Sequence, residues 1–567
     1  MFKIRRYVVL LLAITSFLLL ILRLYYLQVT KADRYSALAS GQHSTARKIE
    51  PRRGTIFDSH MEPLAINLDT PSIYLNPREI IAKEETAKAL SGTLELEYSL
   101  VFEKVSRNKA FLWLKRKIDD DVAETVKSLG LKGIYIISES KRNYPSGNMA
   151  SHVVGFAGTD NRGLEGIELL FDDMLKGEPG LRSSMRDAKR RTVLFDEKAS
   201  VPPQNGYDLV LTIDSVIQYI VEEELAQMVK KRKPESASIV VMDPFSGKIL
   251  ALANYPNYDL NEFSKVSRGA MKNRAVTDIC EPGSVFKVVT ASAVINEKVF
   301  GPEDRIYCEK GAYHTRGRIL HDYHKYGELS FRDVIAKSSN IGVVKSAQKL
   351  GKEKLFGYIE KFGFGKQTGV DLPGEARGIS RRPSVWSRSD ITTIPIGQGI
   401  AVTPLQLVNA VGVIANGGYL KRPYIVDEIT GWNGELYRKT VPRTSARVIS
   451  RDTCEKIKDA MRHVVTDGTG KKANSKLFEV CGKTGTAQMV DPDGGYYEKK
   501  YNASFIGFAP KDEPVISMVI IARDPHPVYF GGTVAAPVFK NIAERVLQYL
   551  DSNRKDNVKE YNDERGS

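Results

Sequence analysis

The chain reads Ser236-Ala237-Ser238-Ile239-Val240-Val241-Met242, then a turn from Asp243 to Gly247, then Lys248-Ile249-Leu250-Ala251-Leu252-Ala253. Two β-branched or apolar runs around a Pro/Ser/Gly turn read as a β-hairpin. Far downstream, Ser504 to Ala509 and Val515 to Ala522 have the same strand-like character, separated by Pro510-Lys511-Asp512-Glu513-Pro514. A helical pattern from Ala536 to Leu550 closes the segment. Strands at both ends of a mostly helical middle predict an α+β unit: one antiparallel sheet assembled from chain-distant strands and flanked by helices.

Upstream of the hairpin, a charged helical segment at 214–232 ends at Lys233-Pro234, which marks a boundary. Residues 28–235 read as irregular, with turn-rich pieces (Arg52 to Asp58, Tyr144 to Gly147) between short helical and strand-like stretches. At the start, Lys3, Arg5 and Arg6 precede an apolar run from Tyr7 to Leu22, which Leu24 to Leu27 extend past Arg23. A bilayer span needs about 20 residues. Arg23 lies where it can snorkel to the interface, and Tyr25 and Tyr26 suit the aromatic belt. Basic residues before the span predict a cytoplasmic N-terminus, with everything after it outside. Ala37-Leu38-Ala39 resembles a signal-peptide cleavage site, but a polar stretch with Lys31, Asp33 and Arg34 separates it from the apolar run, so the segment reads as an uncleaved anchor. The expected organisation is a cytoplasmic tail (1–6), a transmembrane anchor (7–27), a non-catalytic N-terminal domain (28–235), a catalytic domain (236–550) and a disordered charged tail (551–567).

Composition narrows the function classes. With 567 residues, 42% hydrophobic and 27% charged, the chain is neither disordered nor polytopic and has room for two to four units. The net charge of +15 names no partner by itself. Its densest internal cluster (Arg182, Arg186, Lys189, Arg190, Arg191) has no nucleic-acid motif around it and reads as a solvated face. Cys280, Cys308, Cys454 and Cys481 are scattered with no CxxC pair, which gives little support to redox or zinc chemistry and leaves their pairing open. Cys308, His314, His321 and His324 lie close in sequence, but their spacing fits no zinc pattern, so no metal is assigned.

Chemistry first shows at Glu281-Pro282-Gly283-Ser284-Val285-Phe286-Lys287. Pro282 and Gly283 break what precedes, and Val285 to Ile295 reads as a helix apolar on nearly every side, hence buried. Positions i and i+3 share a helix face, so the Lys287 amine can reach the Ser284 hydroxyl. A lysine in a dry, electropositive site loses its proton more readily, and only the neutral amine can take a proton from serine. SxxK also occurs at Ser106, Ser138, Ser346 and Ser552, but Ser284 alone opens a buried helix. Ser338-Ser339-Asn340 lies where an amphipathic helix (Phe331, Val334, Ile335) meets another starting near Ile341. Its bland explanation is helix capping. Lys483-Thr484-Gly485 is the only KTG in the chain. The glycines of such a strand let a substrate backbone approach, and the lysine and threonine hydroxyls suit a carboxylate. The order SxxK, SxN, KTG, with steps of 54 residues (284 to 338) and 145 (338 to 483), is far more specific than any one member.

With these motifs the sequence resembles the class B penicillin-binding proteins over essentially its whole length, and within them the division-specific FtsI type. Further segments carry the resemblance: Arg53 to Asp58, Arg142-Asn143-Tyr144-Pro145 through His152, Gly163 to Gly166, Gly397-Gln398-Gly399 leading to Gln406, and Tyr501 to Pro510. The resemblance implies a penicillin-binding transpeptidase fold behind an elongated N-terminal pedestal and one transmembrane helix. It implies that Ser284 attacks the penultimate D-Ala of a stem pentapeptide and Lys287 is the general base. Ser338 would relay a proton, and Asn340 would hold the peptide. Lys483, Thr484, Gly485 and Thr486 would bind the terminal carboxylate, and the backbone N–H groups of Ser284 and Thr486 would form the oxyanion hole. An acceptor amine from a neighbouring stem peptide would resolve the acyl-enzyme. The implied ligands and partners are D-Ala-D-Ala stem peptides, β-lactams, a SEDS-type glycosyltransferase and other division proteins, with no cofactor and no nucleic acid. The alternatives are an elongation-specific transpeptidase, a D,D-carboxypeptidase, a non-catalytic division scaffold and a β-lactam sensor.

Overall fold

Every residue from Ser236 to Met242 is buried, and the alternation of the strand explains how. Ile239 and Val241 join one apolar cluster, whereas Val240 and Met242 join another on the opposite face. A strand covered on both sides reads as a continuous apolar run instead of an in/out alternation. This strand, β1 (Ser236–Met242), pairs with β2 (Ile249–Tyr255). The sheet is completed by β3 (Cys481–Val490), β4 (Tyr496–Ala509) and β5 (Ile516–Arg523), in the order β2-β1-β5-β4-β3. All four pairings are antiparallel. The KTG strand, β3, is therefore an edge strand of the sheet.

The computed structural model describes residues 2–35, 44–186, 192–315 and 318–566. Ala37-Leu38-Ala39 and, in the basic cluster, Lys189, Arg190 and Arg191 lie outside them. Helices α1 (Ser215–Arg232), α2 (Lys287–Asn296), α3 (Phe331–Ala336), α4 (Asn340–Leu350), α5 (Pro404–Ala415), α6 (Arg451–Thr466) and α7 (Ala536–Gly566) accompany the sheet. Ile217, Val221 and Leu225 of α1 and Phe539, Ile542 and Val546 of α7 share a cluster with Ile239, Val241, Phe505 and Ile520. Val288 of α2 and Val408 and Val411 of α5 share the other with Val240, Ile506 and Val519. The expected α+β layering is what the structure has.

Two observations bear on organisation. The chain forms two units, Met1–Arg53 with Lys176–Gly206, and Gly54–Leu175 with Tyr207–Ser567. Residues 54–175 therefore cluster with the catalytic residues, and residues 176–206 with the N-terminal ones. Second, α7 does not stop near Leu550 but runs to Gly566. No proline or glycine interrupts it between Pro537 and Gly566, and its Lys, Arg and Glu residues are good helix formers.

In the first unit, the helix Phe2–Tyr25 has no buried residue. Strands Ser44–Ile49, Gly180–Arg186 and Thr192–Val201 form an antiparallel sheet with the second of them in the middle. In the second unit, strands Ile56–Phe57, Pro63–Leu75 and Leu112–Lys115 continue a sheet through Asp208–Leu211 to Val426–Thr430 and Leu436–Lys439. Ile134–Asn143 pairs along Pro63–Leu75. Within it, Arg142 Nε donates to Glu168 Oε1 at 2.6 Å, with both side chains buried. That ion pair joins the Arg142-Asn143-Tyr144-Pro145 stretch to the helix that follows Glu165.

Candidate active site

Ser284 sits on a 3-10 turn, Gly283–Phe286, that leads into α2. It is half-buried, whereas Lys287 is wholly buried. The turn is fixed from below. Gly283 N–H donates to Gly397 O at 3.0 Å, and a Cβ on Gly397, whose φ is +80°, would lie 2.2 Å from Gly283 O. Glycine is thus required where the Gly397-Gln398-Gly399 stretch passes beneath the serine. Glu281, just before the turn, accepts from Gly399 N–H at 2.7 Å and from the Tyr496 hydroxyl at 3.0 Å. On the other side, a Cβ at Gly485 would sit 2.2 Å from Ser504 Oγ, 2.9 Å from Val285 Cγ1 and 3.3 Å from Pro282 O. The KTG strand therefore lies directly against the SxxK turn.

The second motif meets both. Ser330 caps α3 and Ser339 caps α4, each accepting an N–H three residues on. Between the helices Ser338 holds φ +59°, a left-handed conformation that a non-glycine residue adopts at a cost of about 1–3 kcal/mol. That backbone turns its carbonyl and hydroxyl toward the lysines. Lys287 Nζ donates to Ser338 O at 2.5 Å, to Asn340 Oδ1 at 2.7 Å and to Ser338 Oγ at 3.2 Å. Lys483 Nζ donates to the same Ser338 Oγ at 2.9 Å and to Thr484 O at 3.1 Å. Thr484 Oγ1 is 2.6 Å from Thr469 Oγ1, and Thr486 Oγ1 accepts from Gly531 N–H at 3.1 Å. The eight residues singled out from the sequence converge, with one change of partner. Among the described residues, Lys287 bonds the SxN motif and not Ser284, because a carbonyl and an amide oxygen are both presented to it.

Burial brings the Lys287 amine down to about 7, opposed by the negative charge of Asp322. Lys483 is pushed well below its ordinary range, first by burial and then by the positive charge of Lys287. Both amines bond the one Ser338 hydroxyl, and like charges that close repel, so the pair resists holding two protons.

Asp322 escaped the sequence reading. Its Oδ1 accepts from Asn340 N–H at 2.5 Å and Ile341 N–H at 3.0 Å, and its Oδ2 from the Ser339 hydroxyl at 2.6 Å. An acid at the N-terminus of α4 is favoured by the helix dipole. Asn340 Nδ2 donates to His321 O at 2.9 Å, which leaves its oxygen for Lys287. His321 and His314 lie on facing strands of a small hairpin, and Cys308 is buried with its sulfur 3.5 Å from Ser339 Oγ. The cysteines are all free, and burial pushes the Cys280 thiol up to about 12, which keeps it protonated.

The family model described as the penicillin binding protein transpeptidase domain matches residues 237–544, and that of the penicillin-binding protein dimerisation domain matches residues 48–211. The chain is 38% identical over 554 residues to stage V sporulation protein D of Bacillus subtilis, covering 96% of this chain and 85% of the relative. It is 32% identical over 538 residues to the peptidoglycan D,D-transpeptidase FtsI of Escherichia coli K12, covering 93% and 89%. Among solved structures, penicillin binding protein 3 of Mycobacterium tuberculosis complexed with aztreonam aligns with a TM-score of 0.71 at 28% identity, over 89% of this chain and 97% of that one. Three motifs gathered at one sheet edge and two matched domains in this order place the chain among the class B penicillin-binding proteins, the family of the FtsI-type peptidoglycan D,D-transpeptidases.

Proposed function

We propose that this chain is a serine D,D-transpeptidase that cross-links peptidoglycan stem peptides through an acyl-enzyme at Ser284 and is acylated by β-lactams. One observation carries the reading: two buried lysines from different motifs converge on the Ser338 hydroxyl beside the Ser284 turn. Neutral Lys287 takes the Ser284 proton as the hydroxyl attacks the carbonyl of the penultimate D-Ala. Ser338, held between the two amines, passes a proton to the leaving D-Ala amine. Asn340 holds the peptide, and Lys483, Thr484, Gly485 and Thr486 receive the terminal carboxylate. The backbone N–H groups of Ser284 and Thr486 stabilise the oxyanion. A bound carboxylate favours the charged form of Lys483. Through repulsion that charge holds Lys287 neutral, so substrate binding readies the base.

The apolar helix Phe2–Tyr25 acts as a single-pass anchor, with Lys3, Arg5 and Arg6 in the cytoplasm and the catalytic unit outside. In septal wall synthesis its partners are a SEDS-type glycosyltransferase and other division proteins. The higher identity to stage V sporulation protein D than to FtsI supports a second reading, cross-linking during sporulation. A fluorescent fusion that marks division septa in growing cells supports the first role, and one confined to sporulating cells the second. The chemistry is tested with a fluorescent penicillin on wild type and Ser284→Ala. Stable label that vanishes in the variant supports the acyl-enzyme. No label on folded wild type, or label that survives the substitution, overturns it.

A further inference from the structure

A cleft of about 370 Å³ opens in the second unit among Asp371, the chain at 422–424, the end of the strand Leu436–Lys439 and the chain at 440–443 that follows it. That size suits a small ligand, and no residue lining it belongs to the three motifs. Four cations face it: Arg422, Arg438, Lys439 and Arg443. Two are engaged, since Lys439 pairs with Glu428 at 2.6 Å and Arg422 Nε donates to Gly369 O at 2.7 Å. The side chains of Arg438 and Arg443 have no hydrogen bond or ion pair among the described residues. The acid in the lining, Asp371, spends its two oxygens on the N–H groups of Ile425 and Val426, at 2.6 and 2.7 Å. Backbone therefore holds it, its charge is sensed by Arg422, and it makes no ion pair with Arg438 or Arg443 among the described residues.

A second observation points to a ligand. Tyr424 lines the same cleft at 5% exposure, and its hydroxyl, sealed from solvent, has no hydrogen-bond partner among the described residues. A buried donor left unmade costs about 1–3 kcal/mol, which an acceptor in the cleft would recover by displacing the atoms that cover the hydroxyl.

We propose that this cleft binds a phosphate-bearing anion, a phosphate ester or diphosphate, gripped by Arg438 and Arg443 with the Tyr424 hydroxyl donating from the floor. Guanidinium groups match phosphate oxygens in bidentate pairs. Two uncompensated arginines balance a dianion, whereas a single carboxylate would leave one of them unmatched. The same chemistry serves a soluble phosphate ester and a phospholipid headgroup.

Inorganic pyrophosphate titrated calorimetrically into the full chain in detergent tests the site. Saturable binding of one equivalent, weakened by added salt and by at least about tenfold in R438A/R443A, is the expected result, with a smaller loss in Tyr424→Phe. Penicillin labelling of these variants at the wild-type rate shows that they are folded, and it separates failure here from failure of the transpeptidase reading. Absence of saturable binding, or equal binding by the double variant, overturns the proposal. An oligoglutamate peptide that displaces pyrophosphate at lower concentration than pyrophosphate itself overturns the phosphate assignment. Displacement by phosphatidylglycerol vesicles but not phosphatidylcholine vesicles supports a headgroup as the source, and displacement by neither supports a soluble ester.

Discussion

Lys287 carries the pH dependence of the proposed acylation. The unprotonated amine is the base, and burial brings this amine down to about 7. The second-order rate of penicillin acylation is therefore expected to fall as pH drops through about 7 and to level off above it, since this ratio reports the free enzyme. A rate flat between pH 6 and 8 would remove Lys287 from that role. Asp322 pulls the other way by favouring the charged amine, so Asp322→Asn should shift the limb to lower pH. The same change removes charge-assisted bonds to Asn340 N–H, Ile341 N–H and Ser339 Oγ. Such bonds contribute about 1.5–3 kcal/mol each, so the plateau rate should drop by at least about tenfold. A limb that moves to higher pH would show that Asp322 is not the charge Lys287 senses. Asp322 was illegible in the sequence for a plain reason. It stands 17 residues before Ser339, in a stretch that reads as solvated loop, and only the folding back of that loop brings it to the start of α4.

Elements place these residues to within a bond length, and two of them can be tested separately. Gly485 has no room for a side chain against Ser504 and Val285. Gly485→Ala should push the edge strand off the SxxK turn and cut penicillin acylation by at least about 100-fold, the cost of a shift near 1 Å, while β3 keeps its pairing with β4. An unchanged rate would mean the strand has slack there. Helix α5 offers the contrast. Thr403 and Gln406 form a capping box at its start, so Thr403→Ala should cost about 1 kcal/mol of stability and shift the urea midpoint without altering acylation of the folded protein. At this scale much of the fold was readable. The hairpin and the downstream strands are apolar runs bounded by turn residues, and α2 is apolar on nearly every side, as a buried helix is. What the sequence pattern could not convey is where Lys287 points. The i, i+3 rule put it on Ser284, but the left-handed backbone at Ser338 offers it a carbonyl, and no residue type announces a positive φ at a serine.

At the scale of the whole molecule, the helix Phe2–Tyr25 and the catalytic unit pose opposite solvation problems. The helix exposes Leu10, Leu11, Leu12, Phe17, Leu18, Leu19 and Leu20 by more than half, an apolar surface that water disfavours. Its 24 residues measure about 36 Å at 1.5 Å per residue, enough for a hydrocarbon core about 30 Å thick. The catalytic sheet, by contrast, is covered on both faces by its own helices. Residues 1–30 should therefore be dispensable for acylation and indispensable for attachment. The full chain is expected to stay with membranes through an alkaline carbonate wash. A chain lacking residues 1–30 should fractionate as soluble protein and label with penicillin at a rate within about twofold of the full chain, because the three motifs, their sheet and the residues that support them all lie beyond Gly54 in the second unit. A truncated chain that remains on membranes would reveal a second membrane-binding surface. One that is soluble and folded but slow to label would mean that the anchor, through the first unit, holds the site in its reactive geometry.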